Sequence, residues 1–177
     1  MNTYRFFWDT HKWVGIGIAA FLLLVAGTGF FLLLKKEFDW IQPPTQKGSA
    51  GTIDQFISIE TAWAKCQAAG HPDFARLEQL DRVDVRPDKR VYKMLSTDNH
   101  SEMQIDAITG EVLSQDERVS DLLEDLHDGS WIGKPVHDYV MPLVALLVYF
   151  LVFSGLWLWL EPKVKRWRRR RRDRLQG

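Results

Sequence analysis

The chain has 177 residues, of which 46% are hydrophobic, and its 23 basic side chains balance 23 acidic ones. This length allows one modest domain plus membrane segments. Because Cys66 is the only cysteine, the composition excludes an internal disulfide, a thiol relay and a c-type haem attachment motif. The five histidines and the cysteine lack the short ligand spacing of a zinc site.

The first predicted element is a membrane span at residues 13–34, which follows a short N-terminal segment at residues 1–12. The run WVGIGIAAFLLLVAGTGFFLLL carries no charge, and Lys12 and Lys35 bracket it. As a helix it rises roughly 33 Å, at ~1.5 Å per residue, which is enough to cross the hydrocarbon core. The sequence KKEFDW follows in place of a small-residue cleavage site, so we predict a retained signal anchor.

A linker at residues 35–57 leads to a predicted α+β module at residues 58–128. The linker contains QPPTQKGSAGT, a composition typical of loops. In ISIETAWAKCQAAG, Ser58 is a candidate helix N-cap and Gly70 is a stop signal.

The rest of the module predicts three or four antiparallel strands and then a second helix. Strand patterns occur in RLEQLDRVDVRP, RVYKMLS, EMQID and EVLS, with turns at Asp98-Asn99 and around Thr109-Gly110. The acidic stretch at residues 117–125 has the composition of a helix that leads back to the membrane.

After a loop at residues 129–138, the uncharged run at residues 139–160 predicts a second span, and a basic tail occupies residues 161–177. The predicted fold class is therefore a membrane α-helical protein with two transmembrane helices and an inserted small exterior α+β module.

Charge is distributed unevenly along the chain and predicts its orientation. Residues 35–138 carry 12 basic and 20 acidic side chains, whereas the two ends together carry 11 basic and 3 acidic ones. Because basic flanks stay cytoplasmic, we expect both termini inside and the module outside, which is the periplasm for a bacterial inner membrane. The Arg-rich tail abuts a span, which favours contact with anionic lipid headgroups over binding of nucleic acid.

Several short motifs, in a fixed order, resemble a known family over nearly the whole chain. MQIDAITGEVLS resembles the strand–turn–strand signature of PepSY domains, with Asp106, Thr109 and Gly110 in the matching places. DLHDGSWIG, a span ending in FSGLWLWLEP, and the opening THKWVGIGIAAFLLLVAGTGFFL are similar to the PepSY-associated transmembrane family, with His11 and Gly15 at its histidine-then-glycine start.

The resemblance implies haem chemistry. Larger members of the family have four spans and include inner-membrane ferric-siderophore reductases that bind b-type haem through span histidines. This chain has a single span pair, which implies work as a dimer or beside a partner subunit. The resemblance supports His11 and His127 as haem-iron ligands. His137, at the start of the second span, is a third candidate, because an ionisable group there is a functional hypothesis by default. All three lie at span ends, where hydrated interfacial histidines are also common.

The other two histidines, His71 and His100, lie in the turn-like sequences GHPD and DNHS, and we interpret them as ordinary loop residues. His11 and His137 lie at opposite faces of a ~30 Å hydrocarbon layer, so one chain cannot join them on one haem. His127 with His137 remains an option if the loop between them folds back. A two-fold homodimer would instead pair each histidine with its symmetry mate inside a four-helix bundle.

We therefore expect haem b-dependent electron transfer across the inner membrane to a periplasmic acceptor such as a ferric siderophore, either as a ferric-chelate reductase or as a subunit of one. No hydrolase motif, phosphate loop or dinucleotide fingerprint occurs in the sequence. The alternative is a non-enzymatic accessory or regulatory subunit, whose module binds a partner or restrains a protease. A purely structural subunit of a larger membrane complex is a third hypothesis.

Overall fold

A computed structural model describes residues 3–176 of the chain. The chain divides into two compact units, one formed by residues 3–28 and 125–176 and the other by residues 29–124. Each unit has its own architecture.

The first unit is built from long apolar helices. Helix α1 spans Thr3–Leu33 and helix α4 spans Met141–Gln176, with a π-helical turn at Val136–Val140 directly before α4. Both are long and apolar enough to cross a membrane. Only 11% and 17% of their most apolar windows are buried, whereas the core helix of a soluble protein would be mostly buried. Their outward-facing apolar surface suits contact with lipid.

Both helices extend beyond the uncharged runs of the sequence. Helix α1 already begins at Thr3, and α4 continues through the basic tail. Lys and Arg are good helix formers, so the tail prolongs the helix even though its side chains are exposed.

The second unit contains a four-stranded antiparallel sheet in the order β1-β2-β3-β4. The strands are β1 at Leu80–Arg86, β2 at Val91–Ser96, β3 at Ser101–Asp106 and β4 at Val112–Glu117. Two further helices complete the α+β module: α2 at Ile59–Ala68, and α3 at Val119–Asp128, which runs on into the first unit. The predicted fold class, two membrane helices with an inserted α+β module, is confirmed.

Helix α2 has the predicted ends. The Ser58 side chain accepts a hydrogen bond from the Thr61 backbone, as an N-cap does, and Gly70 follows the helix with a φ of 75°. Beneath it, the core combines small residues of α2 with larger side chains of the sheet. It consists of Ala62, Cys66, Phe74, Tyr92, Met94, Met103, Ile105 and Ala107. Burial raises the pKa of the Cys66 thiol to about 12, so this cysteine is an inert core residue.

The second face of the sheet is covered by irregular chain. Residues 35–57 contain one short 3₁₀ turn, Ile53–Gln55, and otherwise follow the sheet without regular structure. The Gln104 amide donates to Pro44 O at 3.0 Å and accepts from Gln46 N at 2.8 Å. The central strands β2 and β3 are therefore buried on both faces, although this segment has the composition of a loop.

A buried ionic network lies on that second face. The Glu102 carboxylate on β3 accepts hydrogen bonds from Lys93 Nζ at 2.9 Å, Arg118 at 2.7 Å and Gln104 Nε2 at 2.8 Å. Arg118 also bonds Asp121 in the first turn of α3 at 2.8 Å. The network links two strands to the helix that carries His127.

Candidate functional site

His11 on α1 is half-buried and faces a hydroxyl group on α4. Its Nδ1 atom lies 2.8 Å from Ser154 Oγ. The Ser154 side chain donates its own proton to Phe150 O, 2.6 Å away in the preceding turn of α4. Ser154 is only 3% exposed, so the contact is shielded from solvent.

The Ser154 hydroxyl favours one tautomer of this imidazole. A serine hydroxyl has one proton, and the Phe150 carbonyl, 2.6 Å away, can only accept it. With that proton donated to Phe150 O, His11 Nδ1 is the donor towards Ser154, and in the neutral ring Nε2 keeps its lone pair. This is the arrangement that metal-ligating histidines adopt, with one ring nitrogen held as a donor and the other available to a metal.

The missing side chain of Gly155 allows the His11 ring to pack against α4. A Cβ atom built on Gly155 would lie 3.2 Å from His11 Cε1, closer than an ordinary van der Waals contact. By contrast, Gly27 on α1 has no neighbouring atom within 4 Å of such a Cβ. Gly155 thus leaves space for the His11 ring, in addition to any general role of small residues in helix packing.

His127 repeats the pattern at the other end of the helix pair. Its Nδ1 atom, in the last turn of α3, lies 3.1 Å from Thr28 Oγ1 on α1. The Thr28 hydroxyl donates to Leu24 O at 2.8 Å and is buried, with 6% exposure. With the Thr28 proton donated to Leu24 O, His127 Nδ1 is likewise the donor, and in the neutral ring Nε2 keeps its lone pair.

His137 has different surroundings. It lies in the π-helical turn before α4, its side chain is 48% exposed, and its Nδ1 atom is 3.2 Å from Asp128 O and 3.5 Å from Asp128 Oδ2. Burial raises the pKa of Asp128, but hydrogen bonds from Ser130 and the nearby imidazoles outweigh this and lower it below its ordinary value. His137 thus contacts an ionised carboxylate at the surface, and no buried hydroxyl holds it.

The remaining histidines lie in turns of the second unit. His71 Nδ1 accepts a hydrogen bond from Asp73 N at 3.3 Å at the start of a short 3₁₀ helix. His100 has a φ of 53° in the turn before β3.

Sequence reasoning missed the two hydroxyl partners. Neither Thr28 nor Ser154 was predicted from the sequence to contact a histidine. The sequence did contain a signal for these partners. Thr28 is the only hydroxyl residue in the first uncharged run, and Ser154 is the only residue with an aliphatic hydroxyl group in the second. Each run therefore carries one conspicuous polar side chain.

Comparison with known proteins shows the family to which the chain belongs. A family model described as the PepSY-associated TM region matches residues 8–176. The match includes both apolar helices, the module between them and all the histidines described above. No curated protein matches the chain.

Proposed function

The chain belongs to the PepSY-associated TM family and is a membrane protein, and from this premise we propose that it binds b-type haem through His11 and His127 and carries electrons across the membrane. The observation that carries the proposal is the repeated histidine–hydroxyl pair. In both pairs a buried hydroxyl holds Nδ1, and Nε2 keeps the lone pair that an iron ligand needs.

The available donors fit a haem iron better than a bare metal ion. Within residues 3–176, no group of three or more His, Cys, Asp or Glu side chains could hold a metal ion by itself. A haem iron needs fewer protein ligands, because the porphyrin supplies most of its ligand atoms and one or two imidazoles would be enough to hold it. When bound, haem would supply a one-electron ferric–ferrous couple.

The residues of the chain orient the proposed ligands. Ser154 and Thr28 fix each ring by accepting its Nδ1 proton, and Gly155 leaves room for the His11 ring. His11 and Thr28 are 17 residues apart on one helix, which places the two sites roughly 25 Å apart along its axis at ~1.5 Å per residue. Such a separation suits two sites near opposite faces of a bilayer.

Each site contains one well-held histidine, and a second copy of the chain would supply another. We propose a homodimer in which His11 pairs with its symmetry mate near one face and His127 with its mate near the other. His137 remains a weaker candidate at the second site, because its ring is exposed and contacts Asp128. A partner membrane subunit could replace the second copy.

The orientation and the acceptor are part of the same proposal. With both basic ends cytoplasmic, the electrons leave on the periplasmic side of the inner membrane, where a ferric chelate such as a siderophore is reduced. The chain contains no nicotinamide or flavin fingerprint, so the electrons come from a separate donor.

The first experiment is a reduced-minus-oxidised visible spectrum of the detergent-purified chain, expressed with ample haem. We expect sharp Soret and α bands whose intensity falls by about half in His11→Ala and in His127→Ala, because each variant removes one of the two sites. Ser154→Ala and Thr28→Val, which remove only the hydroxyls, should lower haem affinity by about tenfold or more. Haem titration of the four variants measures both effects.

His100→Asn is the matched control, because asparagine tolerates the left-handed backbone of this turn and the variant should keep both bands. Circular dichroism and gel filtration confirm that each variant is folded. A colourless but well-folded wild-type chain would refute electron transfer through haem and favour the accessory role, in which the module binds a partner or restrains a protease.

A further inference from the structure

A charged cavity of about 350 Å³ lies in the second unit, and none of the residues that line it is a histidine. One wall is formed by the irregular segment after α1, from Lys36 to Thr45. The other wall is the end of the β1–β2 hairpin, from Arg86 to Lys93. At its floor, the buried Lys93 is already paired with Glu102, so its charge is compensated.

Charged side chains of both signs line this cavity, and most of them form no ion pair within the described part of the chain. Lys36 and Lys89 have no ion-pair partner within 4 Å among residues 3–176, and neither do the carboxylates of Asp39 and Asp88. The Arg86 guanidinium has only a 3.8 Å contact, with Asp84. A ligand that carries a positive and a negative group would complement both sets.

The position of the cavity identifies the source of the ligand. Helix α1 ends at Leu33, and Lys36 follows directly after the uncharged run. The Trp40 ring packs edge-on against Phe31 of α1, with centroids 6.4 Å apart, and holds this wall against the end of the apolar helix. Phe38 and Trp40 are exposed, as aromatic residues at a membrane interface are. The wall that contains Lys36 and Asp39 therefore follows directly after the span, where lipid headgroups lie.

We propose that this cavity binds the headgroup of a zwitterionic phospholipid of the ethanolamine class. The phosphate is held by Lys36, Arg86 and Lys89, and the primary ammonium group by the Asp39 and Asp88 carboxylates. A choline headgroup fits less well, because its quaternary nitrogen has no proton to donate to the carboxylates.

The test measures lipid binding to the full detergent-purified chain by native mass spectrometry. The probes are phosphatidylethanolamine, phosphatidylcholine and phosphatidylglycerol with identical acyl chains, together with soluble glycerophosphoethanolamine. We expect phosphatidylethanolamine to bind about tenfold more tightly than phosphatidylcholine. The Asp39→Asn/Asp88→Asn double variant should lose this preference, whereas the Lys36→Gln/Lys89→Gln double variant should weaken the binding of all three lipids.

Lys47→Gln is the control, because Lys47 is exposed on the same segment but outside the cavity, and it should keep the wild-type preference. Equal binding of the three lipids, or no effect of the cavity variants, would overturn the proposal. Binding of glycerophosphoethanolamine as tight as that of the lipid would assign the cavity to a soluble phosphorylated amine instead. The variants leave the histidines intact, so the haem spectrum reports separately on electron transfer.

Discussion

Single polar side chains set the hydrogen-bonding role or the position of the groups next to them in this protein. In each apolar helix one hydroxyl, Ser154 or Thr28, donates to its own helix and therefore accepts from a histidine. Asp106 acts similarly in the module, because its carboxylate accepts backbone hydrogen bonds from Ser49, Ile108 and Thr109. One carboxylate thus fastens both the irregular segment and the β3–β4 turn.

The Asp106 carboxylate should make the free energy of unfolding of the module depend on pH in the acidic range. Burial alone would raise its pKa, but the hydrogen bonds from Ser49, Ile108 and Thr109 lower it from 3.8 to about 2. Because the folded-state pKa lies below the unfolded value, the stabilisation, about 2 kcal/mol, is complete above pH 4. It is lost as the pH falls through 2. Urea unfolding of the full chain between pH 5 and pH 2 measures this loss.

Asp106→Asn should lower the free energy of unfolding at pH 7 by about 2 kcal/mol and flatten its dependence on acid. Asp116→Asn is the control, since Asp116 is an exposed carboxylate on β4. If the Asp106 variant retains the wild-type loss of stability below pH 4, other carboxylates cause that loss.

The secondary-structure elements are joined by both apolar and ionic contacts. Helix α2 covers one face of the sheet through small residues such as Ala62 and Cys66. On the other face Glu102 joins β3 to β2 through Lys93 and to the start of α3 through Arg118 and Asp121. A buried carboxylate with two cationic partners is satisfied only while all three side chains are present.

Glu102→Gln should destabilise the module strongly, by about 3 kcal/mol, because it leaves two buried cations without their shared counter-charge. Hydrogen exchange of the β2 and β3 amides in the detergent-solubilised chain measures the change locally. Glu78→Gln, on the exposed surface, is the matched control. Equal protection in the two variants would mean that the network contributes nothing to stability.

The whole molecule combines a membrane-embedded unit with a charged module. The membrane helices leave most of their apolar surface outward, and the module has its own core. The basic ends and acidic middle of the chain predict opposite sides of the membrane for the tail and the module.

Cysteine labelling tests this topology. The native Cys66 is buried and its raised pKa keeps the thiol protonated, so the wild-type chain should not react with a membrane-impermeant maleimide. Glu60→Cys, on the exposed side of α2, should be labelled on intact spheroplasts. Arg174→Cys, in the tail, should be labelled only after permeabilisation. The reverse pattern would contradict the positive-inside assignment.

The sequence by itself determined the helices, the strands and the family, because these depend on local patterns. Uncharged runs, the Ser58 cap and the alternation in β1 to β4 are all readable along the chain. Residues 35–57 were harder to interpret, because their loop composition gives no sign that they cover the sheet.

Only the tertiary structure decided which side chains act together. His11 and Ser154 are 143 residues apart, and Thr28 and His127 are 99 apart, so no local pattern connects them. The cavity likewise joins a segment after α1 to a distant hairpin. Hydrogen bonds act over about 3 Å, and their partners are chosen by helix packing, which the order of residues alone does not reveal.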